Sequence, residues 1–290
     1  MWPRSWPRLG AQSCLPKDET VKVSSQDSYE HGLRAGNRGD VWKHFLLLTA
    51  LEILTRQEIR QPEPFRYLET HCGEALYLLG KGGAWREGVG RLRPPPASLI
   101  SHPYFRLVGM VRGPGGVYPA SWLQAALFLQ GRGLHYRMGL YDTSPKVREH
   151  LRALGISEGA GTSISFACKD GFEGLAGSGE TWDLALVDPP FWPDAEKDRR
   201  KCSAIMSMLK ETCRLFLVWY PLFSETDPGI PLARGCQALE ILWCGEKGAS
   251  SMCGCGVLVG GRVHGIPGEL FPWLEQLALR LGASFRWRKA

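Results

Sequence analysis

Asp188-Pro189-Pro190-Phe191 stands directly after the apolar run Leu184-Ala185-Leu186-Val187. Such a run reads as a buried parallel strand, and in open α/β sheets ligands bind just beyond the carboxyl ends of strands. Two prolines after the carboxylate make a rigid turn, because each fixes its own φ and lacks an N–H. The Pro189 carbonyl and the Asp188 carboxylate can then both accept from one exocyclic amino group. Accepting both protons points the nitrogen lone pair away from its ring and towards an electrophile. Phe191 offers a face on which an extruded base can stack. This chemistry needs neither a metal ion nor a covalent nucleophile. An Asp-Pro-Pro turn is often purely structural, so its position after a buried strand is what gives the motif weight.

Three further strand ends carry acids. Glu69-Thr70-His71-Cys72-Gly73 closes the first strand, and its glycine lets the backbone approach a ligand closely. Asp142 ends the next and can hold ribose hydroxyls, as an acid does in dinucleotide sites. Asp170-Gly171-Phe172 ends the third, where the carboxylate can accept from an adenine amino group and the aromatic can pack on the ring. Taken singly, each is more often a cap or a turn. Four acidic strand ends in succession (Glu69, Asp142, Asp170 and Asp188) describe the rim of one crevice.

The elements that must position these residues alternate. Asp40 can cap a helix running to Gln57, with Val41, His44, Phe45, Leu48, Leu51 and Leu54 at helical spacing. Phe65 to Glu69 reads as a strand. So do His135 to Asp142, Ile164 to Asp170, Trp182 to Asp188, Leu215 to Tyr220, Leu239 to Cys244 and Gly256 to Gly260. Helical patterns separate most of them: Ser144 to Leu154, Ala195 to Leu209 and Gly268 to Leu281. Strand alternating with helix predicts a mostly parallel sheet covered on both faces. Far more than the usual ~20 residues separate the first strand from Asp142. The excess, rich in Gly, Pro and Arg over roughly Gly80 to Val117, predicts an inserted subdomain. Residues 1–26 lack periodicity and are expected to be a flexible leader.

Composition narrows the function classes. Hydrophobic residues make up 44% and charged residues 22% of the 290, an ordinary globular balance and not that of a disordered chain. No apolar run is long enough to span a bilayer, and Met1 to Leu15 lacks the apolar core of a signal peptide. A cytoplasmic location is expected. The nine cysteines are scattered, which favours reduced thiols. Cys244, Cys253, Cys255 and His264 could be drawn as a zinc site, but without any C-x-x-C pair small buried hydrophobes are the better reading, and no metal is expected. The net charge of +6 suits a polyanionic partner without proving one.

The motifs also resemble those of a known family. Tyr29-Glu30-His31, Arg34-Ala35-Gly36-Asn37 and Asp40-Val41-Trp42-Lys43-His44 are similar to the N-terminal signature of the RlmJ family of bacterial large-subunit ribosomal RNA methyltransferases. Leu68-Glu69-Thr70-His71 followed by Gly73 resembles its first cofactor loop. Tyr118-Pro119-Ala120-Ser121 resembles its Tyr-Pro-Gly-Ser, and Asp188-Pro189-Pro190-Phe191 its Asp-Pro-Pro-Tyr. Trp219-Tyr220-Pro221 and Pro272-Trp273-Leu274 also match, so the similarity runs in order from about Ser28 to the C-terminus.

That resemblance implies an α/β fold, a Rossmann-like class I methyltransferase with helices on both faces of its sheet. Residues 27–79 and 118–290 would form this domain, and residues 80–117 the small inserted helical subdomain. It implies S-adenosyl-L-methionine as cofactor and N6 of one adenine in protein-free 23S rRNA as target. Asp188, Pro189 and Phe191 would be catalytic. His44, His71, Ser121, Asp142, Asp170, Gly171 and Asp188 would line the cofactor site, and Tyr29, His31 and Lys43 would lie near the RNA. A monomer is the expected assembly. Four positions depart from the family pattern: Glu69 for Asp, Ala75 for a second loop glycine, Ala120 for the glycine before Ser121, and Phe191 for Tyr. Phe keeps a stacking face, whereas Ala75 tightens the loop that would cradle the methionine part.

Plainer readings stand beside these. By pattern alone His44 is a core histidine, Lys43 a solvated charge, and Tyr29 and His31 part of a disordered lead-in. Arg132, His135, Arg137, Lys146 and Arg148 could face RNA or simply solvent. A DNA N6-adenine methyltransferase would use the same turn, although no DNA-reading domain is evident. An RNA-binding protein that has lost catalysis would keep the same fold.

Overall fold

A computed structural model describes residues 31–56, 63–80, 83–109, 116–156, 163–191, 194–243, 252–263 and 265–290. Its strands are β1 (Phe65–Glu69), β2 (Leu76–Leu78), β3 (Val117–Pro119), β4 (Tyr136–Tyr141), β5 (Ile164–Ala167), β6 (Trp182–Val187), β7 (Cys213–Leu222), β8 (Gln237–Leu242), β9 (Gly254–Gly261) and β10 (Ser284–Lys289). Its helices are α1 (His31–Arg34), α2 (Arg38–Arg56), α3 (Pro103–Val108), α4 (Ser121–Gly131), α5 (Pro145–Ala153), α6 (Gly171–Gly177), α7 (Ala195–Ala204), α8 (Met206–Thr212) and α9 (Phe271–Arg280). Among the described residues, no helix is long and apolar enough to cross a membrane.

Eight strands join in one sheet, in the order β10-β8-β9-β7-β6-β1-β4-β5. From β5 to β7 neighbouring strands are parallel, which gives the doubly wound order 3-2-1-4-5. The chain leaves β1 towards β4 and β5, then returns to lay β6 on the other side of β1. In such sheets ligands bind where the order reverses, in a crevice outside the carboxyl ends of the strands, and the acidic ends of β1, β4 and β6 sit there. Beyond β7 the pairing turns antiparallel through β9, β8 and β10.

Both faces of the sheet are covered, so β6 and β7 are apolar throughout most of their length. One face packs α6, α7 and α8 through Phe172, Leu175, Cys202, Met206 and Leu209. The other carries α2, α4 and α9. Helix α2 is buried nearly all round, with Trp42, Leu46, Leu47, Leu48 and Leu51 fully enclosed. A helix apolar on every side belongs inside a protein, and truncating one such leucine to alanine typically costs about 2–5 kcal/mol. The Trp42 indole donates to the Leu239 carbonyl at 3.0 Å, which pins the helix across the sheet.

Between the antiparallel pair β2–β3 the chain makes two 3₁₀ turns, Ala84–Arg86 and Val89–Leu92, and then α3. Trp85, Val89, Leu92, Leu99, Tyr104 and Phe105 from this segment join the apolar cluster that α2 and α4 share. Gly88 lies against the start of α2 so closely that a Cβ would come within 2.1 Å of the Gly36 carbonyl oxygen.

The structure adds elements that the sequence reading left unassigned, among them α4, α6 and the β2–β3 pair, and it redraws others. The helical pattern from Ala195 to Leu209 is two helices, broken at Ile205. The C-terminal Ser284–Lys289, unassigned from sequence, is the edge strand β10. Its alternation sends Arg286 and Arg288 to the buried Glu240 carboxylate at 2.5 and 2.7 Å. Phe285 and Trp287 face the other way and both meet Phe271.

Candidate active site

Asp188 leaves the end of β6 and meets a residue from α2. The Lys43 ammonium donates to its Oδ2 at 2.5 Å and pairs with Asp40 at 3.1 Å. Lys43 is only 7% exposed. Burial alone would push its pKa down, but the Asp188 and Asp40 carboxylates outweigh that and hold it well above the ordinary lysine value. The ammonium therefore stays charged and fixes the carboxylate in one orientation. Asp40 is itself tied in, accepting from the Gly36 amide at 2.9 Å.

The loop after β1 is built around Gly73, whose φ of +61 favours glycine. Its amide donates to Asp142 at 3.0 Å, and the other Asp142 oxygen accepts from the Ser144 amide at 2.8 Å. Asp142 thus joins the end of β4 to the first loop. Asp170 caps α6, accepting from the Phe172 and Glu173 amides. These amides, with Lys201 nearby, bring its carboxyl below the ordinary value although burial works the other way. Gly171 is pressed against the β1 loop, where a Cβ would lie 1.8 Å from the Thr70 carbonyl oxygen. His71 accepts or donates at Nδ1 to the Thr70 hydroxyl at 2.8 Å and meets the edge of Phe172.

Beneath this rim lies a buried polar layer. Glu69 is fully buried and accepts from the Tyr67 hydroxyl at 2.5 Å and from the Ser121 hydroxyl. Burial pushes its carboxyl up to about 8, against the lowering effect of these hydrogen bonds and of Lys43. The His44 Nδ1 accepts from the Gln124 amide at 2.8 Å, with the Tyr118 hydroxyl at the same distance. The ring is therefore neutral, with its proton on Nε2. Burial sets the His44 pKa near 3, His71 near 4 and His102 near 3.

These shifts predict a pH profile for stability. Each histidine binds its proton less readily folded than unfolded, so stability is lost as pH falls below about 6.5 towards 4. Glu69 is the reverse. Its folded carboxyl keeps a proton that the unfolded chain has released, so stability falls as pH rises from about 4.3 to 8. Three groups outweigh one below pH 6.5, and Glu69 leads from there to about pH 8, above which the buried thiols of Cys72, Cys202, Cys213 and Cys255, all pushed up by burial, add to the decline. Thermal melting across pH 4–8 should therefore peak near pH 6.5, within the window these values set. Glu69→Gln should remove the decline above the peak; a decline left intact would place its cause elsewhere.

The structure brings Lys43, Asp188, Pro189, Glu69, Ser121, His71, Asp142, Asp170 and Gly171 to one end of the sheet, and buries His44 behind them. Phe191 has a φ of 51, in the left-handed region, and is 5% exposed, packed edge-to-face on Trp219 at 5.7 Å. Its ring is thus covered and offers no open stacking face; the aromatic that β7 places behind the turn is the reason. Tyr29, Trp192 and Pro193 lie outside the described residues, as do Cys244 and His264 and the side chain of His31. Pattern alone passed over Tyr67, Tyr118 and Gln124, whose partners lie far along the chain. Asp40 was read as the cap of α2, but the helix starts at Arg38 and Asn37 caps it, its Oδ1 accepting from the Asp40 amide at 2.9 Å; Asp40 sits in the first turn and pairs with Lys43. A cavity of about 240 Å³ lies at the opposite, amino ends of β1, β6 and β7, lined by Glu63, Arg66, Asp183, Arg214 and Arg262 among others. None of the crevice residues lines it.

The crevice suits a nucleoside carrying a cationic centre. Carboxylates at adjacent strand ends (Asp142 and Asp170) can take hydroxyls and an amino group, and a glycine-built loop allows close backbone approach. No family model matches the chain. The chain is 29% identical over 214 residues to the ribosomal RNA large subunit methyltransferase J of Haemophilus influenzae, covering 67% of this chain and 70% of that protein. It is 27% identical over 215 residues to the Escherichia coli protein of the same name, again covering 67% and 70%. Among solved structures, protein LPL1258 from Legionella pneumophila matches with a TM-score of 0.70 at 21% identity, over 89% of this chain and 98% of that one. That likeness bears on the fold. Motifs, strand order and relatives agree: this chain is a Rossmann-like relative of the ribosomal RNA large subunit methyltransferase J proteins.

Proposed function

We propose that this protein methylates N6 of an adenine in 23S rRNA, using S-adenosylmethionine and acting on RNA free of ribosomal proteins. The observation that carries the reading is the Lys43–Asp188 pair at the end of β6, beside the β1 loop and at the point where the strand order reverses. The cofactor supplies the electrophile, a methyl group on a sulfonium. The chain supplies orientation. The Asp188 carboxylate, held by Lys43, accepts one proton of the adenine amino group, and the Pro189 carbonyl accepts the other. The lone pair then points at the methyl. Transfer forms the N–C bond as the S–C bond breaks, and the surplus proton leaves the new secondary amine for solvent.

The cofactor would be held by Asp142 at its ribose, by Asp170 and Gly171 at its adenine, and by His71, Ser121 and the Nε2–H of His44 at its methionine part. A neutral histidine donor suits a carboxylate in a site that already contains Lys43. Phe191 shapes the turn from behind, and Tyr29 and His31 would reach the RNA. On this reading residues 80–117 are an inserted subdomain, and the protein acts in the cytoplasm as a monomer. Methyl transfer to deproteinised rRNA, to duplex DNA and to no acceptor tests the proposal. Label recovered in rRNA alone supports it; label in DNA alone would replace it with a DNA methyltransferase.

A further inference from the structure

We infer that an arginine cluster, formed where the segment after β2 meets the end of α9, binds phosphates of the substrate RNA beside the active site. Arg38, Arg91 and Arg280 come together there from three distant parts of the chain, and Arg93 precedes the Pro94 whose carbonyl Arg280 reaches. The Arg38 Nε donates to the Leu281 carbonyl at 2.8 Å, and the Arg280 Nη2 donates to the Pro94 carbonyl at 3.3 Å. A Cβ on Gly282 would meet the Arg91 Nη1 at 2.7 Å and the Arg38 Nη2 at 3.9 Å. One oxygen of Glu87 accepts from both Arg38 and Arg91.

Part of this cluster has a structural explanation. Glu87 joins Arg38 to Arg91, and cations near a helix C-terminus are favourable, so these two bind the segment to α2 and α9. Arg280, in the last turn of α9, shares the helix-end explanation and its bond to Pro94 helps hold the segment, whereas Arg93 has neither role. Both are exposed, and among the described residues neither forms an ion pair. Four arginines around the single carboxylate of Glu87 leave this edge with an excess of positive charge. Planar N–H forks match phosphate oxygens, and arginine suits that role better than lysine.

Position supplies the second argument. Arg38 opens α2, and Lys43, which grips Asp188, lies five residues further along the same helix, roughly 8 Å along its axis. Phosphates bound at the cluster would belong to nucleotides within a few positions of the target base. The inference rests on the reading of the substrate as RNA.

The test uses the full chain, a protein-free 23S rRNA transcript and binding measured from about 0.05 to 0.2 M salt. Arg93→Ala/Arg280→Ala should flatten the slope of log affinity against log salt by about 0.7–0.9 per arginine lost, and weaken binding roughly five- to ten-fold per arginine at 0.1 M salt. The KM for RNA should rise while kcat at saturating RNA and S-adenosylmethionine affinity hold. Arg262→Ala/Lys289→Ala removes the same charge from exposed positions elsewhere and should change little. An unchanged slope in the first variant, or an equal loss in the second, overturns the inference. If the wild type binds rRNA but transfers no methyl, the catalytic reading fails and the binding comparison still decides this one. If the wild type binds no RNA, both fall.

Discussion

Asp188→Ala should lower the rate of methyl transfer by about 10²–10³-fold or more, the scale on which removing one oriented polar group from a reacting centre acts. Its effect should fall on kcat rather than on folding or cofactor affinity. The reason lies in the ion pair. With Asp188 gone, the buried Lys43 ammonium still has Asp40 at 3.1 Å, so it is not left uncompensated. Lys43→Met is the contrasting change. It removes the buried member of the ion pairs with Asp40 and Asp188 and should cost stability as well as rate, because breaking a largely buried ion pair from one side costs about 3–5 kcal/mol. Kinetics and thermal melting on the two variants separate these effects: rate lost with Tm kept for Asp188→Ala, both lost for Lys43→Met. An Asp188→Ala protein that turns over normally would remove the residue from the mechanism.

Gly171→Ala should be the most damaging small substitution in the crevice. Its new Cβ would lie 1.8 Å from the Thr70 carbonyl oxygen and within 2.6 Å of the Thr70 Cα. Both are backbone atoms, so no side chain can swing aside. The loops after β1 and β5 must part, at a cost of about 2–4 kcal/mol, and the cofactor crevice parts with them. The expected result is a Tm lowered by several degrees and S-adenosylmethionine binding weakened at least ten-fold. Gly177, at the other end of the same helix α6, is the internal control. A Cβ there meets nothing within 4 Å. Gly177→Ala should leave the crevice unchanged and stabilise by about 0.4–1 kcal/mol through the lost freedom of the unfolded chain. Equal behaviour of the two variants would show that close packing at Gly171 does not shape the site.

The crevice was legible in the sequence to the extent that parallel strands buried on both faces read as continuous apolar runs. Leu184 to Val187 gave β6, and the acid after it followed at once. The same logic located Asp142 and Asp170. The Lys43–Asp188 pair was not legible by pattern, since its partners stand 145 residues apart and lysine is by default a solvated charge. Only the resemblance pointed to Lys43. His44 satisfies both of its readings: it is buried in the helix that the spacing predicted, yet its ring adjoins the polar layer beneath the rim. Strand β10 was hidden because Arg286 and Arg288 look like a polar tail until Glu240, on a neighbouring strand, gives them a buried partner. The same limit applies to Phe191, whose ring is placed by Trp219 from β7. Residues whose setting is local were readable; those placed by a distant partner were not.

The most direct test of the account is transfer of labelled methyl from S-adenosylmethionine to deproteinised 23S rRNA, with the product digested to nucleosides. Wild-type protein should yield label in N6-methyladenosine, and Asp188→Ala should yield none while still binding the cofactor. Label in any other nucleoside, or label undiminished in the Asp188→Ala protein, would contradict it.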